Sequence, residues 1–107
     1  MKNLDEIIEL IRRTSSNLPK DVEDRLRAAV EKEAPGSAAR GALETIMKNI
    51  ELSRKNSTPI CQDTGTPVFY VKHPWDYPVR PIREAAMAAV RRATKESLLR
   101  PNAVDSV

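Results

Sequence analysis

The sequence predicts an α+β fold that is predominantly helical, with about four helices and one short β element after a polar loop. Three observations lead to this prediction. Apolar residues recur at helical spacing over four stretches, only 4% of the residues are aromatic, and one short run of β-branched and aromatic residues follows the loop. Because aromatic residues are scarce, the core must be built mainly from Ile, Leu, Val and Ala, which favours helices.

Length and composition limit the possible classes of protein. The 107 residues suit one domain with a modest core, and 40% hydrophobic and 31% charged residues are ordinary for a globular protein. A net charge of +3 suits an anionic small substrate and falls well short of a dedicated nucleic-acid binder. No apolar run approaches the ~20 residues that span a bilayer, and the start lacks the apolar core of a secretion signal, so we expect a cytoplasmic protein.

The first predicted helix opens a helical lead-in over residues 1–57. Asn3 is a candidate N-cap for a helix over residues 4–14, and Glu6 three positions later completes a capping-box pattern. A run of Thr, Ser and Asn then ends the helix. The apolar face of this predicted helix consists of Leu4, Ile7, Ile8 and Ile11.

Two further helices complete the lead-in. The second follows Pro19 and ends by Ala34, because a Pro-Gly pair comes next. Ser37 is the candidate N-cap of a third, longer helix, and Arg54 and Lys55 suit its negative carbonyl end. The apolar faces are Val22, Leu26, Ala29 and Val30 in the second helix and Ala39, Leu43, Ile46, Met47 and Ile50 in the third.

Residues 68–107 contain the strand candidate and a fourth helix. The run 68–71, Val-Phe-Tyr-Val, is the one good strand candidate, and we expect strands outside this chain to complete the β element. Pro81 suits the first turn of the fourth helix, and Arg92 and Glu96 are spaced for an ion pair on its basic, solvated side. Its narrow face of small residues allows close packing and comprises Ile82, Ala85, Ala86, Ala89, Val90 and Ala93.

The candidate site is the polar loop at residues 59–67, Pro-Ile-Cys-Gln-Asp-Thr-Gly-Thr-Pro. Cys61, Gln62 and Asp63 are consecutive and cannot share one amphipathic face, so the segment presents polar groups. One cysteine cannot hold zinc or an iron–sulfur cluster alone, so any metal site must be shared with other residues. A structural alternative stays open, in which Asp63 and Thr64 cap a turn, Gly65 supplies a positive φ angle and Cys61 is a small buried hydrophobe.

Three further polar features are relevant to the candidate site. The Asp-Thr-Gly run at 63–65 matches a signature of aspartic proteases, but that site needs flanking apolar strands, and here a long helix leads in. His73, the only histidine, is interpreted as a surface loop residue outside the site. Arg100 precedes Pro101 and follows two leucines that could anchor it, so its guanidinium is a candidate for bidentate binding of a carboxylate.

The loop motif at 59–67, followed by a strand, a helix and Leu-Arg-Pro-Asn-Ala-Val at 99–104, resembles the alpha-type portion of iron–sulfur class I fumarate hydratases and L-tartrate dehydratases. The resemblance covers essentially all 107 residues and identifies the chain as the amino-terminal portion of a longer alpha subunit. In that family three cysteines hold a [4Fe–4S] cluster whose fourth iron is open to substrate. The resemblance implies that Cys61 is the first of these ligands and that the other two are absent from this chain.

The resemblance also implies roles for neighbouring residues. Gln62 and Asp63 would contact the substrate, Asp63 would act in acid–base chemistry, and Arg100 would bind a substrate carboxylate. The expected reaction is the reversible hydration of fumarate to L-malate, with L-tartrate dehydration as the close alternative. A non-catalytic helical interaction module is the alternative from another class.

The same resemblance sets expectations for the isolated chain and for the complete enzyme. The isolated chain is expected to hold no cluster and to be inactive. The complete enzyme is expected to contain the remainder of the alpha subunit and a beta subunit or domain. It is also expected to form a homo-oligomer and to lose activity in air.

Overall fold

The computed structural model describes residues 3–101, and over these residues the chain is predominantly helical, as predicted. Helix α1 packs on α4, α2 packs on α3, and a smaller contact between α1 and α3 joins the two pairs. The end of the predicted motif at 99–104 lies outside the described residues. The bounds are Leu4–Ser16 for α1, Lys20–Lys32 for α2, Ala38–Asn56 for α3 and Val79–Lys95 for α4.

The predicted capping box at the start of α1 was wrong. Asn3 precedes the helix, but its backbone is left-handed, with φ at 64°, and its side chain makes no capping hydrogen bond. In that conformation the side chain does not satisfy the orphan N–H groups that a capping box would occupy. The first turn of α1 instead contains Asp5 and Glu6, whose negative charges interact favourably with the positive N-terminal end of the helix dipole.

Helix α1 also runs past its predicted end and continues to Ser16. The hydroxyl of Thr14 donates to the carbonyl of Leu10 at 2.7 Å, and the hydroxyls of Ser15 and Ser16 donate to that of Arg12. These hydroxyls thus bond carbonyls of the preceding turn, and the polar run is accommodated within the helix instead of ending it. Helix α1 therefore ends two residues later than the sequence pattern indicated, and Ser15 belongs to its last turn.

Helix α3 has the termini that the sequence predicted. Ser37 accepts a hydrogen bond from the backbone N–H of Arg40 at 3.1 Å, which makes it the N-cap. Arg54 and Lys55 lie in the last turn. The helix ends at Ser57, which is left-handed with φ at 52°, and there the chain turns into the polar loop.

The main core lies between α1 and α4 and is closed by the segment after α4. The Ala face of α4 is buried as predicted, and Ser97, left-handed with φ at 63°, turns the chain back after the helix. The backbone N–H of Leu98 then donates to the carbonyl of Ala93 at 2.9 Å. The buried cluster comprises Ile8, Ile11, Ala89, Ala93, Leu98 and Leu99.

The predicted β element at 68–71 was wrong for this chain. No strand is found among residues 3–101, and residues 58–78 have no helix or strand. A strand is stable only when its backbone N–H and C=O groups pair with another strand, and no other segment among residues 3–101 forms a strand that could pair with residues 68–71. The side chains of this segment are exposed, Tyr70 at 93%.

The molecule is elongated. Its Cα radius of gyration is 17.6 Å and its principal extents are 57 × 35 × 26 Å. A compact domain of this length would have a radius of gyration of about 13 Å. The helices therefore share little common core. No helix in the described part of the chain is both long and apolar enough to cross a bilayer.

Candidate functional site

The polar loop is anchored immediately before Cys61. The backbone N–H of Ile60 donates to the carbonyl of Ser15 at the end of α1, at 2.9 Å. The carbonyl of Ile60 accepts from the Asn49 side-chain amide on α3, at 2.8 Å. The backbone N–H and C=O of Ile60 are thus bonded to two different helices. These contacts fix the position of the backbone immediately before Cys61.

The middle of the loop is a tight turn around Asp63. Its Oδ1 accepts from the backbone N–H of Gly65 at 3.0 Å, and Gly65 has φ at +69°. This is an Asx-turn, so the capping role for Asp63 and the positive φ of Gly65 are confirmed. The bond also fixes one carboxylate oxygen relative to the loop backbone.

Cys61 is exposed, so the alternative of a small buried hydrophobe was wrong. Its Sγ donates to the carbonyl of Asp63 at 3.1 Å. A thiol can make this contact, whereas a thiolate bound to a metal has no proton to donate. Binding of a metal at Cys61 would therefore replace this hydrogen bond.

Arg100 lies beside the loop although 36 positions separate it from Thr64. The backbone N–H of Arg100 donates to Thr64 Oγ1 at 3.0 Å, and the residue itself is exposed. The two leucines before it are buried in the core, as the sequence predicted. The structure therefore brings Cys61, Asp63 and the Arg100 segment together.

A cleft of about 500 Å³ opens between the loop and the end of α1. Cys61 and Asp63 line it, whereas neither Gln62 nor Arg100 does, although Gln62 is exposed in the same loop. The volume suits a small molecule, and polar groups on one wall could orient it. The remaining lining residues are Leu10, Ile11, Thr14, Ser15, Ile60, Thr64, Thr66, Pro67, Val68, Phe69, Tyr70 and Leu99.

Charged residues fix α1 against the end of α3, close to where the loop begins. Arg12 and Arg13 hydrogen-bond Glu9 and lower the pKa of its carboxyl to about 2. Arg12 also donates to Ser57 Oγ at 3.1 Å. This contact ties the residue that ends α3 to the helix that anchors the loop.

The other predicted polar features lie away from the cleft. His73 is exposed in the irregular segment, with Nδ1 2.8 Å from the carbonyl of Pro74. The predicted ion pair between Arg92 and Glu96 is present at 2.8 Å, and Arg92 also donates to Asp5 on α1 at 3.1 Å. The hydrogen bonds that Arg92 donates to these carboxylates, above all to Glu96, raise the pKa of Arg92. These contacts support the helix packing.

The donor set offers one ligand for a metal. Among residues 3–101, no group of three or more His, Cys, Asp or Glu side chains is placed to hold an ion. The exposed Cys61 thiol at the cleft edge suits one soft-metal ligand position. Any cluster would need its other thiolates from outside this chain.

The sequence pattern did not identify three residues that shape this site. Ser15 acts through its carbonyl, and Asn49 is one polar residue among many on the solvated side of α3. Thr64 lies in the motif, but nothing in the sequence links its hydroxyl to Arg100. Only the packing of α1 against α3 and α4 brings these partners together.

Comparison with known proteins shows a consistent relationship. The chain is 42% identical over 106 residues to a protein of Geobacillus stearothermophilus named as a fumarate hydratase class I, covering 99% of this chain and 21% of the relative. It is 34% identical over 107 residues to a Methanocaldococcus jannaschii protein named as an L(+)-tartrate dehydratase subunit alpha, covering 97% and 37%. It is 32% identical over 92 residues to the L(+)-tartrate dehydratase subunit alpha of Escherichia coli K12, covering 85% and 30%.

The chain thus spans about a fifth to somewhat over a third of the length of these relatives. The family model described as "Fumarate hydratase (Fumerase)" matches residues 4–107, which include the whole loop and the Arg100 segment. Because that match extends over nearly the entire chain, this protein belongs to the fumarate hydratase family.

Proposed function

We propose that this chain forms one part of a hydro-lyase that reversibly hydrates fumarate to L-malate. The observation that carries the proposal is the hydrogen bond between Arg100 and Thr64, which holds a cationic segment beside the loop of Cys61 and Asp63. A thiol, a carboxylate and a guanidinium-bearing segment are thereby gathered at one end of α1. Such a set suits the binding of a dicarboxylate and a proton transfer beside it.

The proposed cofactor is a [4Fe–4S] cluster, for which Cys61 would be one of three cysteine ligands. The exposure of its thiol at the edge of the cleft supports this assignment. When bound, a cluster with one open iron supplies a Lewis acid that polarises the substrate hydroxyl. The isolated chain, with one cysteine, is expected to hold no cluster and to be inactive.

The chain's own polar residues would act on the substrate. Asp63 would move the proton at the carbon beside a substrate carboxylate, while the Gly65 N–H holds its Oδ1 in place. Arg100 would bind a substrate carboxylate, since its side chain is exposed next to the loop. Gln62 would orient the substrate by hydrogen bonds, and the apolar wall of the cleft would limit the access of water.

The complete enzyme would contain more chain than is present here. The relatives are several times longer than the matched region, and two are named as alpha subunits, which supports a partner beta subunit or domain. We propose that the assembly is a cytoplasmic homo-oligomer. An iron open to substrate is also open to oxygen, so activity should be lost in air.

L-Tartrate dehydration is the second candidate reaction. Two of the relatives above carry that name, at 34% and 32% identity, against 42% for the relative named as a fumarate hydratase. The names of these relatives support both reactions, so the choice between the substrates rests on the assay below. A non-catalytic interaction module is the candidate from another class.

A chimeric enzyme tests these proposals. Residues 1–107 would replace the matched region of the Geobacillus stearothermophilus relative, and the purified chimera would be assayed without oxygen on fumarate and on L-tartrate. We expect absorbance at roughly 400 nm from a thiolate-bound cluster, and hydration of fumarate in preference to tartrate turnover. A folded chimera with neither a cluster nor activity on either substrate would favour the interaction module.

Substitution of the proposed ligand provides the second arm of the experiment. Cys61→Ser should remove both the absorbance and the activity, because an alcohol is a poor ligand for the cluster iron. Thr58→Ala is a matched control, since this residue lies three positions earlier, is exposed and lies outside the cleft. Full activity in Cys61→Ser would show that Cys61 is not a ligand.

A further inference from the structure

The Arg100 segment is anchored without any help from the loop. Leu98 and Leu99 are buried in the cluster with Ile11 of α1, and the Leu98 N–H donates to the Ala93 carbonyl at 2.9 Å. These contacts fix the backbone up to the residue before Arg100. They would persist if the loop moved.

The loop is anchored separately, and also on α1. The Ile60 N–H donates to the carbonyl of Ser15, which lies four residues and about one helical turn after Ile11. Asn49 holds the Ile60 carbonyl from the other side. Neighbouring turns of one helix thus support the two halves of the candidate site.

The hydroxyl of Thr64 joins these halves. Its Oγ1 accepts from the Arg100 N–H at 3.0 Å, so this hydrogen bond connects the loop directly to the segment after α4. Thr64 lies inside the Asx-turn of Asp63 and Gly65, so its position follows from that of the Asp63 carboxylate. A change in this bond would shift Arg100 relative to Asp63 without unfolding either anchor.

We infer that Thr64 is a positioning residue whose hydroxyl sets the separation between Arg100 and the loop of Cys61 and Asp63. Its catalytic meaning rests on the proposed function, in which Arg100 would bind a carboxylate of the substrate on which Asp63 moves a proton. The structural link itself does not depend on any activity. Both statements can therefore be tested separately.

Amide hydrogen exchange in the 107-residue chain tests the link. Thr64→Val keeps the shape of the side chain and removes the acceptor, so the Arg100 amide should exchange roughly 2- to 10-fold faster, the range expected for loss of one hydrogen bond. Thr64→Ser keeps a hydroxyl and should restore the slow exchange. Thr58→Val is the matched control, because Thr58 is exposed and lies outside the cleft.

The amides of Ile60 and Leu98 serve as internal references, since each belongs to one of the two anchors. They should be unchanged in Thr64→Val. If Val disturbs both references, Thr64→Ala repeats the measurement with a side chain too small to clash. The inference would be overturned if the Arg100 amide exchanged at the same rate in all of these proteins: the unsubstituted chain, Thr64→Ser, and the variant without the acceptor, Thr64→Val or Thr64→Ala.

The chimeric enzyme tests the catalytic consequence. A displaced Arg100 weakens the binding of a substrate carboxylate, so Thr64→Val should raise KM for fumarate by roughly 5- to 10-fold, with a smaller change in kcat. Thr64→Ser should restore KM, and Thr58→Val should leave it unchanged. A fall in kcat with an unchanged KM would contradict the assigned role. If the unsubstituted chimera is inactive, the proposed function fails, while amide exchange still decides whether Thr64 forms the link.

Discussion

Ile60 and Thr64 determine where the candidate chemistry lies, although neither residue is proposed to react. Ile60 uses both of its backbone groups to fix the loop to α1 and α3. Thr64 then receives the Arg100 N–H and aligns the two segments. Because each contact involves one donor and one acceptor, single substitutions can separate positioning from chemistry at this site.

Asp63→Asn is expected to abolish most turnover in the chimera and to retain the cluster. The amide oxygen of Asn can still accept from the Gly65 N–H, so the Asx-turn survives and only the proton-transfer group is lost. General acid–base groups typically contribute about 10²- to 10⁴-fold, and we expect a fall in kcat of that order. Asp63→Ala, which removes the turn as well, is the comparison. An unchanged kcat in Asp63→Asn would exclude Asp63 from proton transfer.

At the scale of elements, α1 is the common support of the site. It contributes Ile11 to the core that holds the Arg100 segment and the Ser15 carbonyl that holds the loop. This carbonyl is available because it lies in the last turn of the helix, which ends at Ser16, where carbonyls have no partner within the helix. The geometry of the site therefore depends on the last turn of the first helix.

The loop itself depends on one glycine with a left-handed backbone. Gly65→Ala should lower the free energy of unfolding by about 1–2 kcal/mol, the cost of a left-handed conformation for a residue with a Cβ. Gly41→Ala is a matched control, because no atom lies within 4 Å of the added Cβ at either site, and Gly41 lies inside α3. That control should raise the free energy of unfolding by about 0.5–1 kcal/mol. Equal effects in urea unfolding would show that the φ angle of Gly65 does not matter.

At the scale of the whole molecule, surface contacts between helices supplement a thin core. Glu23 on α2 accepts from Arg54 on α3 at 2.6 Å, and this contact, with a smaller contribution from Arg27, lowers the pKa of Glu23. Arg92 joins α4 to α1 through Asp5. The elongated shape and the exposed apolar side chains of 68–71 leave surface that additional chain could cover.

The contact of Glu9 with Arg12 and Arg13 predicts a loss of stability in acid. The pKa of Glu9 is about 2 in the folded chain against an ordinary 4.5. The stabilisation is therefore present above about pH 4.5 and is lost as the pH falls towards 2. The urea midpoint should fall between about pH 5 and about pH 3, and it should fall less in Glu9→Gln.

Glu31→Gln is the matched control for this experiment. Glu31 is an exposed carboxylate on α2 for which no ion pair is recorded over residues 3–101. Its substitution should leave the acid response of the midpoint unchanged. Identical responses in Glu9→Gln and the unsubstituted chain would contradict the prediction.

Much of the helical scaffold could be predicted from local rules. Ser37 caps α3, the Ala face of α4 is buried, and Arg92 pairs with Glu96, because each feature depends on residues within about one helical turn or on a simple period. The loop around Cys61 could be predicted as a polar turn for the same reason. Local patterns failed at the two ends of α1. Asn3 does not cap the helix with its side chain, and the helix continues to Ser16.

The strand at 68–71 shows the limit of local patterns most clearly. Its side chains have the right propensity, but strand formation requires a partner backbone, and the described chain provides none. The β-propensity of a residue describes how well it fits a strand that is already paired with another strand. Whether additional chain supplies that neighbour in a complete enzyme remains a prediction.

The helices, the polar turn and the candidate residues Cys61, Gln62, Asp63 and Arg100 could all be read from local sequence patterns. The contact of the Arg100 segment with Thr64, the anchoring of Ile60 by Asn49 and Ser15, and the exposure of Cys61 at a cleft became visible only in the folded chain. The two groups of features differ in the sequence distance over which their interactions act. Helix periods and turn preferences act over a few residues, whereas contacts across 36 positions follow from how α1 packs against α3 and α4.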